Sequence, residues 1–197
     1  KVWCAPGASR STTINTDIPS NFLFLFSSFF FLVSFFFFLS LFSGNILFDA
    51  VGGKVKITDF GLSKVFEDGG DGGNSSMELT SQGAGTYWYL PPECFVVGEA
   101  PPQISSKVDV WAIGVMFYQM LYGVRPFGEG LSQERILTNN TILNARTVEF
   151  PMNTKECKVS DNAKEFIQRC LTHSQLYRPD IPEICMDFYL ANGKKNY

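Results

Sequence analysis

The sequence has one histidine, no C-x-x-C pair and a formal net charge of only −3. Each shortage argues against a class of function. So mild a charge gives neither the basic surface that nucleic acid needs nor an acidic tail. Five cysteines, Cys4, Cys94, Cys157, Cys170 and Cys185, are odd in number and widely spaced, which argues against a disulfide framework and against a zinc site. A reducing compartment, cytosol or nucleus, fits that usage. His173 stands outside any catalytic context and is expected at the surface between two helices. The start of the chain offers no basic cluster and no small-residue cleavage site, and Asp17 flanks the first apolar run, so a signal peptide is not indicated.

What is present is unevenly spread. Hydrophobic residues make up 45% of the chain, ample for a core, but 11 of the 20 phenylalanines fall between Phe22 and Phe42. Residues 1–21 are polar, lack periodicity and receive no function. The run 22–43 is uncharged up to its last serine and holds only Phe, Leu, Ser and Val between Phe22 and Phe42. All but Val can be encoded wholly by pyrimidines, so the run reads as a translated intron ahead of a splice acceptor. Abundant spliced transcripts encoding it would overturn that reading. Its length also permits a membrane span, which stays open as the alternative.

From Gly44 the composition is that of a globular domain, expected to run to about residue 190, with a polar tail at 191–197. GNILFD and KVKITDF, separated by a turn signal at 50–53, read as a β-hairpin leading into Asp59. EDGGDGGNSS (67–76) reads as a solvated loop. A helix begins near Ser105 or Ser106, where Ser106-x-x-Asp109 has the form of a capping box, and stops at Gly123. It is apolar on nearly every side and too short for a membrane, which marks the central helix of a core. Ser132–Leu143 is a weaker helical pattern. Ser160 caps a helix with Ala163, Phe166, Ile167, Cys170 and Leu171 on one face, and Asp180 caps another with Ile181, Ile184, Cys185 and Phe188 on one stripe.

The chemistry rests on an ordered series rather than on any one motif. Asn45 is followed by Asp59-Phe60-Gly61, then Gly85-Thr86 with Tyr89 and Pro92-Glu93, then Asp109-x-Trp111-x-x-Gly114, then Arg178-Pro179. An amide and a carboxylate, Asn45 and Asp59, are the hard oxygen ligands a divalent cation prefers, provided the hairpin brings them together. Two prolines, Pro91 and Pro92, fix the backbone just before Glu93. The loop between these anchors carries Ser and Thr, as a switchable active site requires.

This series resembles the protein kinase family, with Asp59-Phe60-Gly61 opening an activation segment and Pro91-Pro92-Glu93 closing it in place of Ala-Pro-Glu. GAGTYWYLPPECFVVG, VDVWAIGVMFYQMLYGVRPFG and QERIL narrow the resemblance to the Tousled-like Ser/Thr kinases. The implied fold is α+β, a mostly helical large (C-terminal) lobe with the small lobe missing. The resemblance implies ATP and Mg²⁺ as cofactors, Asp59 and Asn45 as metal ligands, and Phe60 and Gly61 beneath the nucleotide. It implies Thr86 as a support of the catalytic loop, in keeping with Ser/Thr specificity. Glu93 and Arg178 would pair, Asp109 would accept backbone N–H groups of the catalytic loop, and Trp111 would be structural. It further implies a nuclear protein acting on protein substrates, among them a histone chaperone, without direct nucleic-acid binding.

The departures from the family lie just upstream. Where the family has His-Arg-Asp-Leu-Lys-Pro-Gly-Asn, this chain has Phe38, Leu39, Ser40, Leu41, Phe42, Ser43, Gly44 and Asn45. Ser40 stands at the position of the general base, and a hydroxyl cannot accept a substrate proton near neutral pH as a carboxylate does. Neither a G-x-G-x-x-G loop nor a strand lysine occurs upstream. The chain as written is therefore expected to be inactive. A non-catalytic kinase-like binding module and a membrane-tethered kinase-like fragment remain as alternatives.

Overall fold

The computed structural model describes residues 45–48, 55–58, 77–78, 86–98, 103–152 and 158–192. Phe60, Gly61, Asp59, Ser40, the Phe-rich run and the loop 67–76 lie outside them. The fold is organised on the helix α1, Lys107–Tyr122, which buries every residue except Lys107, Gln119 and Met120. The all-round apolar pattern thus has the expected consequence, since such a helix is stable only when other elements surround it. Gly123 ends it in the left-handed conformation, φ 74°, with its N–H on the Gln119 carbonyl at 2.8 Å.

The expected capping box at its start does not form. Ser106 is itself in the helical region, φ −57° and ψ −12°, and its side chain caps nothing. A capping side chain reaches the first turn from an extended backbone. Here the neighbouring Ser105 takes the role in part, its carbonyl accepting from Val108 N at 3.2 Å and its hydroxyl from Lys107 N at 3.4 Å. Asp109 is 1% exposed, so its carboxylate is a buried group and not a surface cap.

Helix α2, Gln133–Thr138, is shorter than the pattern over Ser132–Leu143 suggests, and residues 139–144 continue as turns. Ser132 caps it by accepting from Arg135 N. Helix α3, Asp161–Cys170, starts at the predicted cap, Ser160 accepting from Ala163 N at 3.3 Å. Its predicted stripe, Ala163, Phe166, Ile167, Cys170 and Leu171, is buried against α1. Phe166 meets Phe117 edge-to-face at 5.3 Å. The two helices approach so closely that a Cβ on Gly114 would lie 2.7 Å from Cys170 Cβ and 2.8 Å from Leu171 Cγ. That contact explains a glycine in mid-helix, which by propensity alone costs about 1 kcal/mol relative to Ala.

Asp180 forms a full capping box with Glu183 at the start of α4, Ile181–Cys185. The predicted stripe breaks after Cys185. A new helix, α5, runs Phe188–Asn192, and Phe188 is 66% exposed rather than part of the core. The reason is Asp187. Its carboxylate receives Arg169 Nε at 2.7 Å and Nη2 at 2.9 Å, and also accepts from Tyr189 N, so it starts a helix instead of continuing one.

Two small ladders are found among the described residues. Strand β1, Ile46–Phe48, pairs antiparallel with β2, Val55–Ile57, in the register Ile46 to Ile57. Ile46 and Ile57 pack on the main core, as an alternating hairpin with one buried face should. Strand β3, Met77–Glu78, pairs with β4, Gln103–Ile104, just before α1. Among the described residues no helix is long and apolar enough to cross a membrane.

Candidate active site

Glu93 and Arg178 are 85 residues apart in sequence and meet in a bidentate pair, Arg178 Nη1 to Oε1 at 2.7 Å and Nη2 to Oε2 at 2.9 Å. Pro92–Phe95 form a 3₁₀ turn led by Pro91 in an extended conformation, and this presents Glu93 to the core. The Arg178 side chain is fully buried. Its remaining donors reach the carbonyls of Lys107, Thr172 and His173, so all five guanidinium N–H groups are used. Trp111, also fully buried, lies beneath it at 5.0 Å and stacks on Phe127 at 5.6 Å. A buried ion of this kind is tolerated because nothing on it is left unpaired.

That network holds the end of the Thr86–Glu93 segment. Cys94, next to Glu93, is buried, and burial together with the Glu93 carboxylate pushes its thiol well above the ordinary range. Burial does the same to Cys170. Both are free cysteines, and thiols so shifted are inert as nucleophiles.

Thr86 precedes the 3₁₀ turn Tyr87–Tyr89, its carbonyl accepting from Tyr89 N at 3.0 Å. The turn is fastened on three sides. Tyr87 N donates to Gln133 Oε1 at 3.2 Å, Tyr89 Oη to Gln119 Oε1 at 2.8 Å, and Trp88 Nε1 to the Gly128 carbonyl at 3.0 Å. Arg125 stacks on the Trp88 ring at 4.4 Å. Arg125 and Gln133 lie in the GVRPFG and QERIL stretches that carry the Tousled-like resemblance, but no residue type pairs them with Trp88 or Tyr87. The only available signal was the Arg125-x-x-x-Glu129 spacing, and it falls outside a helix.

At the other end, the hairpin places Asn45 opposite Thr58, the residue before Asp59 in the chain. Thr58 N donates to the Asn45 carbonyl at 2.9 Å, and Asn45 is 7% exposed. The expected ligand set, Asn45 and Asp59, is thus described at Asn45 only. Likewise Asp109 is buried in the first turn of α1, whereas residues 38–44, which it and Thr86 would support, lie outside the described residues. His173 is half-buried rather than a surface residue, with Nε2 at 2.8 Å from the Leu143 carbonyl. It ties the α2 turns to the end of α3.

Residues 35–190 match the protein kinase domain, a match that begins inside the Phe-rich run. The chain is 58% identical over 152 residues to the Serine/threonine-protein kinase TOUSLED of Arabidopsis thaliana, covering 77% of this chain and 21% of that protein. It is 55% identical over 149 residues to the Serine/threonine-protein kinase tousled-like 2 of Xenopus tropicalis, covering 75% of this chain and 21% of that protein. The human tousled-like 2 kinase gives 55% over 149 residues, covering 75% of this chain and 19% of that protein. The chain therefore spans about a fifth of the length of the curated relatives it matches. With the Glu93–Arg178 network, the central helix and the hairpin in the family's order, the chain belongs to the protein kinase family and is similar to its Tousled-like serine/threonine members.

Proposed function

We propose that this chain carries the large lobe of a Tousled-like Ser/Thr kinase domain whose gene product transfers phosphoryl groups from ATP to protein Ser/Thr, and that the polypeptide as written is inactive. The observation that carries the first half is the joint presence of the Glu93–Arg178 pair and the Asn45–Thr58 hairpin in one fold. The observation that carries the second is Ser40 at the place of the general base, with Leu39 and Phe42 where the family has arginine and lysine. Asn45 and Asp59 fit a hard cation, one supplying an amide oxygen and the other a carboxylate. Asn45 and Asp59 would hold Mg²⁺, whose chemistry there would be to offset negative charge on the transferred phosphoryl group. Phe60 and Gly61 follow Asp59 in the same role as in the family, and Thr86 steadies the catalytic loop.

Segment 22–43 is the boundary of the functional domain on this reading, with the translated intron favoured over a membrane tether. Protein substrates, a histone chaperone among them, and a nuclear location belong to the same proposal and rest on the Tousled-like resemblance. Thermal unfolding with and without Mg·ATP tests whether nucleotide is held, because a ligand that binds the folded state raises Tm by mass action. No rise is expected for the chain as written. A rise at millimolar Mg·ATP that disappears in Asp59→Asn would show nucleotide held at Asp59, and phosphate transfer to protein that Asp59→Asn abolishes would overturn the proposed inactivity.

A further inference from the structure

The connection between α1 and α2 contains a group of side chains that the ordered kinase motifs do not use. Arg125 stacks over Trp88 at 4.4 Å. Its Nε and its backbone N both donate to Glu129 Oε2 at 2.9 Å, which fixes the guanidinium on the ring face. The same indole donates to the carbonyl of Gly128, forty residues on. Gly128 adopts φ 64°, and a Cβ there would press on Ile136 at 3.1 Å while only touching Trp88 at 3.4 Å. The glycine is thus needed for its backbone conformation and for the room it leaves Ile136. Trp88 is held from its face by a cation and from its edge by a carbonyl, both from one short connection.

What Trp88 anchors is the turn whose first carbonyl belongs to Thr86. Tyr89 N closes that turn on Thr86 at 3.0 Å, and Gln133, from the same side of the fold as Arg125, takes Tyr87 N. We infer that Arg125, oriented by Glu129, is a positioning residue that sets the place of Thr86 through the Trp88 indole. This rests on the reading of Thr86 as a support of the catalytic loop. The clamp itself is open to test without any turnover. A cation over an exposed or partly exposed aromatic face contributes modestly, so the effect is local loosening and not unfolding.

The test is hydrogen exchange by NMR on the full 197-residue chain, reading the Trp88 indole N–H and the Tyr89 amide. Trp88→Phe assigns the indole, and the fully buried Trp111 indole serves as the reference for global stability. In Arg125→Ala both reporters are expected to exchange about fivefold faster with Trp111 unchanged. Arg125→Lys, which keeps a cation over the ring, should return them to within about twofold of the parent. Glu129→Gln, which frees the guanidinium without removing it, should fall between the two. Unchanged exchange in Arg125→Ala, equal loss in Arg125→Lys, or parallel acceleration of Trp111 would each overturn the inference. A turnover assay that contradicts the proposed inactivity would leave these exchange results standing, so the two readings fail separately.

Discussion

The two ends of the segment from Asn45 to Arg178 are built in opposite ways. At Arg178 a fully buried cation uses every donor it has, on a carboxylate and three carbonyls, and sits on a buried tryptophan. At Asn45 three-residue strands are joined by a few backbone bonds, and the neighbouring Thr58 meets the Asn45 carbonyl rather than its side chain. The first end is architecture that collapses if one member is removed. On the proposed reading the second end presents groups for chemistry and is held chiefly by backbone bonds. On that reading a chain can keep the architecture of a kinase lobe while Ser40, Leu39 and Phe42 stand where the resemblance puts the catalytic loop.

The sharpest way to break the comparison is to truncate one residue at each end. Arg178→Ala leaves Glu93 buried without its partner and is expected to cost about 3–5 kcal/mol. Asn45→Ala keeps the backbone bond to Thr58 and is expected to cost less than about 1 kcal/mol. Urea unfolding of both variants measures the pair. Equal losses would erase the distinction between a structural and a chemical end.

Next in size is the contact between α1 and α3. Gly114→Ala gains helix propensity but drives a methyl into Cys170 and Leu171, and overpacking of this kind costs about 1–3 kcal/mol. A stabilised variant in thermal unfolding would show that the helices can separate without loss. Smaller again is the cap of α4. Asp180→Ala removes one half of a capping box with Glu183 and is expected to lower stability by about 1 kcal/mol in the same assay.

The smallest expected effect is a pH dependence at the Arg125 clamp. The Arg125 side chain and its backbone N–H hydrogen-bond Glu129 and hold its carboxyl below the ordinary value of 4.5. A depressed folded value means that the contribution is present above pH 4.5 and fades as pH falls through the folded value. Thermal unfolding on descent from neutral pH should therefore show a slightly steeper loss in the parent than in Glu129→Gln. Glu129 is half exposed, so solvent screening keeps the difference small.

What was legible in the sequence was local. Gly123, Ser160 and Asp180 each end or begin a helix through bonds to residues three or four positions away, and their residue types announce it. The stretch 107–122, apolar on nearly every side, points to a core helix. Ser106 misled because two adjacent serines compete for one cap, and the choice between them depends on backbone angles that spacing does not encode. Phe188 misled because the Arg169–Asp187 pair interrupts a periodic stripe from outside it. The resemblance, and not a pattern, pairs Glu93 with Arg178, and no residue type or spacing places Arg125 over Trp88. Contacts across such distances are set by packing, where type and spacing carry no information.

On the proposed reading this polypeptide keeps the architecture of a kinase lobe but not its chemistry. Transfer of labelled phosphate from Mg·ATP to protein, by the chain and by its Asp59→Asn variant side by side, tests it most directly. The account expects equal signals at background in both. Turnover by the chain that Asp59→Asn abolishes would contradict it, and would mean that a base other than Ser40 serves the active site.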